Sequence, residues 1–302
     1  MSLEALAEGI RNRRVILFVG GGISQNLGLP DFSALVRYIG ERMSIDAGDY
    51  SLRDYPIIAE AYVLAEGKIG SLRSWMDTTW HPASIDVSRS AVHNLILDLN
   101  FPVIYTTNYD RWLEAAHRAR GKPFQKIASV GDLIRSDGEG TEIIKFHGDF
   151  DDDESIVLTE TSYFSRMSFE SPLDLRLRSD SLARPLLFLG YSLHDVNTRY
   201  LLYKLQQIWE NSAWAEQRPP SYILMTEKSP AREVVLRHRG IEPLFCEGAD
   251  PGAATIEFLR RLVAAVQAGG EAAPDLAGNR NGASSRPKKR TPSGKRKTGK
   301  KR

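Results

Sequence analysis

Four short stretches of this 302-residue chain hold the groups best suited to chemistry. They are Gly20-Gly21-Gly22-Ile23-Ser24, Thr106-Thr107-Asn108-Tyr109-Asp110, His147-Gly148-Asp149 and Gly190-Tyr191-Ser192. Each follows a short apolar run that reads as a buried strand. Glycines lack a Cβ, so they permit φ > 0 and a close approach of backbone to ligand. Between a strand and a helix, such a turn can present backbone N–H groups to a phosphate. The spacing is not the dinucleotide pattern G-x-G-x-x-G: Gly20 and Gly22 fill two positions, and the third falls on Gln25. A glycine turn that merely joins strand to helix stays open as the alternative. So do an ordinary loop role for His147 and a helix-cap role for Asp110.

The elements that must position these groups follow from periodicity. Val15–Val19, Pro102–Tyr105, Glu142–Phe146, Leu186–Leu189, Tyr222–Met225 and Pro243–Phe245 read as strands, and Ser155–Leu158 as a further one. Helices are expected over residues 2–13, after Ser33 as a cap, over 111–118, after Thr159, after Asp195, near 232–238 and over about 253–266. Between about 50 and 100 the pattern is helical throughout, which reads as an insert between two strands. Alternating strand and helix predicts a doubly wound parallel α/β sheet, Rossmann-like, with ligands beyond the carboxyl ends of the strands. All four polar or glycine-rich loops fall at that edge.

Composition narrows the class. Hydrophobic residues make up 42% and charged residues 26%, as in a soluble globular protein. No apolar run reaches the ~20 residues of a membrane span, and no signal-peptide core opens the chain, so a cytoplasmic protein without membrane contact is expected. Cys246 is the only cysteine, which excludes an intrachain disulfide and a cysteine-rich zinc site. The six histidines are scattered, and no metal is expected. The net charge of +2 hides two opposed parts. Residues 276–302 hold 11 of the 40 Lys and Arg and none of the 38 Asp and Glu, leaving the rest with 29 bases against 38 acids, a net −9. Residues 1–267 therefore read as the globular domain and 268–302 as a disordered basic tail. The tail is suited to phosphate contact with nucleic acid, or equally to solubilising the chain.

Together the loops resemble the sirtuin (silent information regulator) superfamily. Gly20-Gly21-Gly22-Ile23-Ser24 stands where sirtuins have G-A-G-x-S, and Gly28-Leu29-Pro30-Asp31-Phe32 where they have G-I-P-D-F. Thr106-Thr107-Asn108-Tyr109-Asp110 is similar to T-Q-N-I-D, with Thr107 replacing Gln. His147-Gly148 is similar to the catalytic H-G, and Gly190-Tyr191-Ser192-Leu193 to the later G-x-S loop. The set spans about residues 15–245 in family order. The single cysteine cannot supply the four-cysteine zinc module of sirtuin deacylases, so the resemblance is to the zinc-free prokaryotic branch, whose members degrade NAD in antiphage defence.

The resemblance implies a sirtuin-like fold, NAD as substrate and cleavage of the nicotinamide–ribose bond through an oxocarbenium-like state. It implies phosphate contacts from Gly20, Gly21, Gly22 and Ser24, and contacts on the adenosine side from Gly190 and Ser192. Asn108 would orient ribose hydroxyls or water, Asp110 would hold its loop or contact ribose, and Asp31 would sit near nicotinamide. His147 would serve as general base, because imidazole titrates near neutrality. A deacylase or ADP-ribosyltransferase, and a non-enzymatic nucleotide sensor, are the competing readings. An NAD hydrolase must be restrained, so a homo-oligomer and a regulatory partner (an ATPase, a translocase or an Argonaute-like sensor) are expected. The helical segment at 50–100, with Trp75 and Trp80, is the expected contact surface, unless those rings fill its own core.

Overall fold

Ile16-Leu17-Phe18-Val19 is buried on both faces, and the sheet forms around it. In a computed structural model the described residues are 3–46, 54–191, 196–210, 212–246, 248 and 250–271. Ser192, His194, Asp195 and residues 272–302 of the expected tail lie outside them.

In chain order the elements are α1 (Leu3–Arg11), β1 (Ile16–Val19), α2 (Gly21–Gln25), α3 (Phe32–Met43), α4 (Tyr55–Glu66), α5 (Gly70–Trp80) and α6 (Ala91–Leu99). Then come β2 (Val103–Thr106), α7 (Trp112–Ala119), β3 (Phe124–Ile127), α8 (Val130–Arg135), β4 (Thr141–Lys145), α9 (Glu160–Arg166) and α10 (Pro172–Ala183). β5 (Leu186–Leu189), α11 (Val196–Glu210), β6 (Ser221–Met225), α12 (Pro230–His238), β7 (Ile241–Phe245) and α13 (Pro251–Glu271) complete the order.

The seven strands run in the order β3-β4-β2-β1-β5-β6-β7, and every pairing is parallel. This is the doubly wound, Rossmann-like α/β architecture read from the sequence. Alternate residues of each strand feed opposite faces. Leu17 and Val19 join Ile104 and Leu187 under α1, α6 and α13, whereas Ile16 and Phe18 join Tyr105 and Phe188 under α10, α11 and α12. No helix among the described residues is long and apolar enough to cross a membrane.

Three local readings change. The seventh strand is β3, an edge strand with a largely half-buried sequence, and not Ser155–Leu158, whose Val157 N–H donates only to the His147 carbonyl (2.9 Å). α3 begins two residues earlier than expected: Asp31, not Ser33, is its cap, and the Asp31 carboxylate accepts from the Ser33 N–H. Residues 50–100 are not one insert. Val92, Ile96 and Leu99 give α6 an apolar stripe that covers the sheet beside α13. The separate module is made by α3, α4 and α5, closed by Tyr109, Phe150, Ile156 and Leu158 from beyond β2 and β4. Trp80 is buried in it, its ring facing Tyr109 and Phe150 and its indole N–H donating to the Pro30 carbonyl. Trp75 is half-buried and stacks on Tyr38.

Candidate active site

The four central strands end level. Lys145, Thr106, Val19 and Leu189 pair across the sheet in one row. With strands ~4.8 Å apart, that row is about 14 Å wide. The next residues are Phe146-His147, Thr107-Asn108, Gly20-Gly21 and Gly190-Tyr191, so the topology brings the four stretches to one edge. β1 connects towards β2 and β5 towards β6, which makes the gap between β1 and β5 the switch point where such sheets bind ligands.

On the β1–β5 side, glycine meets glycine. A Cβ on Gly20 would lie 2.6 Å from the Gly190 carbonyl oxygen, and one on Gly22 would lie 3.0 Å from it. Gly190 takes φ +72°, and its Cβ would fall 2.8 Å from the Ile23 nitrogen. Gly20 N–H donates to the Leu189 carbonyl and Gly22 N–H to the Gly190 carbonyl. These two N–H groups therefore bind the β5 loop, and close packing of two loops explains both glycines. Gly21 differs, because a Cβ there meets nothing within 4 Å.

On the β2–β4 side, side chains form the structure. The Asn108 amide nitrogen donates to the Gly20 carbonyl (3.2 Å) and to Ser24 Oγ (2.9 Å). Ser24 Oγ donates to Asp110 Oδ2 (2.6 Å), and Asp110 Oδ1 accepts from the Trp112 N–H (3.2 Å). Asp110 is thus both a helix-start acceptor and a link to the glycine loop. Thr107, where the resemblance expects Gln, shares its hydroxyl with Tyr191 Oη (3.1 Å), which donates to the Val19 carbonyl (3.0 Å).

His147 follows β4, and Gly148 makes its turn possible. Gly148 has φ +90°, and a Cβ would lie 2.1 Å from the Ser155 carbonyl oxygen. The imidazole lies against Phe146 and, edge-on, against Tyr163 of α9. Burial first, and then the Arg166 guanidinium, push it down to about 3. The direction runs away from the near-neutral titration expected from the sequence, because burial weakens the hydration of the imidazolium. A cavity of about 50 Å³ adjoins it, lined by Phe146, Tyr163, Arg166, Phe169 and Tyr200 among others. A larger recess of about 390 Å³ lies at the other end of α2, near Asn26 and Ser84–Val92, and touches none of the four loops.

Asp31 stands on the α3 start, exposed, with its carboxylate engaged as the cap. The sequence reading missed the buried charges beneath Asn108 and His147. The Lys145 side chain is 0% exposed, and its ammonium donates to the Asp110 carbonyl, 3.5 Å from Glu114 and 4.0 Å from Asp149. Asp149 also faces Lys126 (3.3 Å) and Arg111 (4.0 Å). A polar residue closing the run Glu142-Ile143-Ile144-Lys145 was the signal available. Among the described residues, no group of three or more His, Cys, Asp or Glu could hold a metal ion.

A parallel sheet with a glycine turn on its central strand and polar loops at the switch point makes this a Rossmann-like α/β protein. Residues 102–244 match the family model described as a SIR2-like domain. The relatives it resembles are a bacterial defense-associated sirtuin and bacterial NAD(+) hydrolases. It is 27% identical over 243 residues to defense-associated sirtuin 2 of Bacillus subtilis, which covers 78% of this chain and 23% of that protein. It is 23% identical over 214 residues to the NAD(+) hydrolase ThsA of Acinetobacter baumannii, covering 70% of this chain and 43% of that one. For the ThsA of Bacillus cereus the values are 22% over 229 residues, with 76% and 47% covered. The chain thus spans less than half the length of each of these relatives. A solved structure reported as "Structural Basis for the Mechanism and Regulation of Sir2 Enzymes" aligns with 90% of this chain and all of that one, at a TM-score of 0.46 and 12% identity. At that score the fold rests on the sheet itself.

Proposed function

We propose that this protein is an NAD hydrolase that cleaves the nicotinamide–ribose bond and acts in bacterial antiphage defence. The carrying observation is the level row of strand ends, which sets Asn108, the glycine loop and His147 within one dinucleotide-sized edge. The relatives named as NAD(+) hydrolases and as a defense-associated sirtuin support the same reading.

In the proposed reaction the bond from C1′ to the nicotinamide nitrogen breaks, and its electron pair leaves with neutral nicotinamide. The oxocarbenium-like sugar takes the oxygen of water, and a proton is released, giving ADP-ribose. Asn108 is held by Gly20 and Ser24, so its amide is fixed before substrate arrives. His147 is neutral across the physiological range and accepts a hydrogen bond from a ribose hydroxyl or from the attacking water. Asp31, the exposed cap of α3, is assigned to the nicotinamide side by the resemblance. The cavity beside His147 has room for a few waters. A regulatory partner or self-assembly restrains the activity in the cell.

Incubating the protein with NAD, with and without an acetylated peptide, tests this by mass spectrometry. Nicotinamide and ADP-ribose without peptide are expected. Release that requires peptide would establish a deacylase or transferase instead, and binding without turnover would establish a sensor.

A further inference from the structure

We infer that Lys145 is a positioning residue that holds the Asn108 loop and the His147 loop in register with each other. The inference builds on the NAD hydrolase reading for its kinetic consequences, and on the structure alone for the tether.

Lys145 ends β4, paired with Thr106 at the end of β2, so it stands at the root of both loops. Its ammonium is sealed from solvent. There it meets the Asp110 carbonyl, the Glu114 carboxylate at the start of α7, and the Asp149 carboxylate two residues beyond His147. Asp110 then takes the Ser24 hydroxyl, and Ser24 takes the Asn108 amide. One cation therefore bridges the loop after β2 to the loop after β4.

Stability alone does not account for this cation. A buried ion pair replaced by apolar residues of similar volume is often as stable or more so, whereas removing one partner leaves an orphan charge. Glu114 illustrates the dependence: neither carboxylate oxygen has a hydrogen-bond partner, and Lys145 is the cation facing it. A methionine at 145 beside a glutamine at 114 could fill the same space, but methionine has no hydrogen to donate to the Asp110 carbonyl as Lys145 does.

The test uses Lys145→Met, Glu114→Gln and the double variant, read by melting temperature, by kcat and KM for NAD, and by amide hydrogen exchange over residues 107–112. Lys145→Met is expected to lower kcat at least 10-fold, with KM within about 3-fold, and to melt earlier. The double variant should regain most of the melting temperature while kcat stays low. Glu114→Gln keeps the Lys145–Asp110 bond, and its kcat should stay within about 3-fold of the parent. If Lys145→Met does not fold, the double variant and Glu114→Gln carry the comparison. Recovery of kcat together with stability in the double variant would overturn the proposal and leave Lys145 a structural ion. If no form cleaves NAD, the hydrolase reading fails, and exchange decides separately. Faster exchange at 107–112 in the double variant sustains the tether, and unchanged exchange refutes it.

Discussion

The two halves of the site are built on opposite principles. Between β1 and β5, Gly20, Gly22 and Gly190 meet backbone to backbone, and the structure depends on side chains being absent. Between β2 and β4, Lys145, Glu114, Asp149, Asp110 and Asn108 form the structure with charges and amides. The first half tolerates no added atom at its contacts, because backbone cannot move aside. The second tolerates changes of shape, but its buried cation and carboxylates depend on one another for their stability. A ligand reaching both halves meets shape on one side and fixed dipoles on the other.

The largest expected effects fall on the charged half. Asn108→Ala and His147→Ala should each lower kcat by about 10²-fold or more, the scale of a lost positioned proton-accepting or orienting group. Far-UV spectra and melting should stay close to the parent, and a His147→Ala protein with near-normal turnover would sink the assignment.

On the glycine half the effect should shift from rate to stability. Gly190→Ala places a side chain at φ +72° and 2.8 Å from Ile23, so a loss above ~1 kcal/mol is expected. That corresponds to a melting point lower by about 2–4 °C per kcal/mol in a domain of this size. Gly21→Ala meets nothing and should melt within about 1 °C of the parent. Its KM for NAD then tells whether a ligand fills that open space: a several-fold rise is expected, and an unchanged KM would place the phosphates elsewhere.

pH separates the halves again, more weakly. His147, held to about 3, and His93, held to about 4 by burial against the pull of Asp110, both titrate below the ordinary 6.5. The unfolded chain therefore takes up these protons first. Their stabilising contribution is complete above about 6.5 and is lost as pH falls towards 4 and 3. The urea midpoint should be lower at pH 5 than at pH 7.5. The kcat/KM profile should show no limb near 6.5 from His147, and such a limb would mean that the ring is far more hydrated than its surroundings indicate.

The smallest effect concerns Asp31. Asn caps as well as Asp, so Asp31→Asn should leave stability within about 0.5 kcal/mol. Any fall in kcat then belongs to the carboxylate itself.

Glycines, strand ends and their common edge were legible because they follow from periodicity and backbone geometry. The gathering of the four loops at one edge needed only alternation and the rule that ligands bind beyond the carboxyl ends of the strands, whereas the order of the strands came from the structure. β3 escaped because Phe124-Gln125-Lys126-Ile127 is short, half polar and at an edge. α10 escaped because Leu173-Asp174-Leu175-Arg176-Leu177-Arg178 alternates with period two. Its helix is set by a capping box from Ser171 and Asp174 that outweighs the pattern. The Lys145 network escaped for another reason: its partners lie 35, 31 and 4 residues away in chain, and only their joint burial gives them meaning. The titration of His147 was out of reach for the same cause, since it depends on Tyr163 and Arg166 of α9.

The α3–α5 module closes on residues that arrive much later in the chain. Leu35, Ile58 and Trp80 are sealed by Tyr109, Phe150, Ile156 and Leu158, and Tyr109 Oη donates to the Val157 carbonyl (2.6 Å). Such distant contacts close long loops, a cost that pairing of β2 with β4 reduces by bringing these residues together first. The chain should therefore assemble from the sheet outward, and the segments that carry Asn108 and His147 should become rigid in the last step. Opening the module would unpack Tyr109, Phe150, Ile156 and Leu158 while Asn108 and Asp110 keep their bonds to Gly20, Ser24 and Lys145. Bracing or loosening one small cluster of helices would therefore reach the neighbour of Asn108 through Tyr109, with the sheet unchanged.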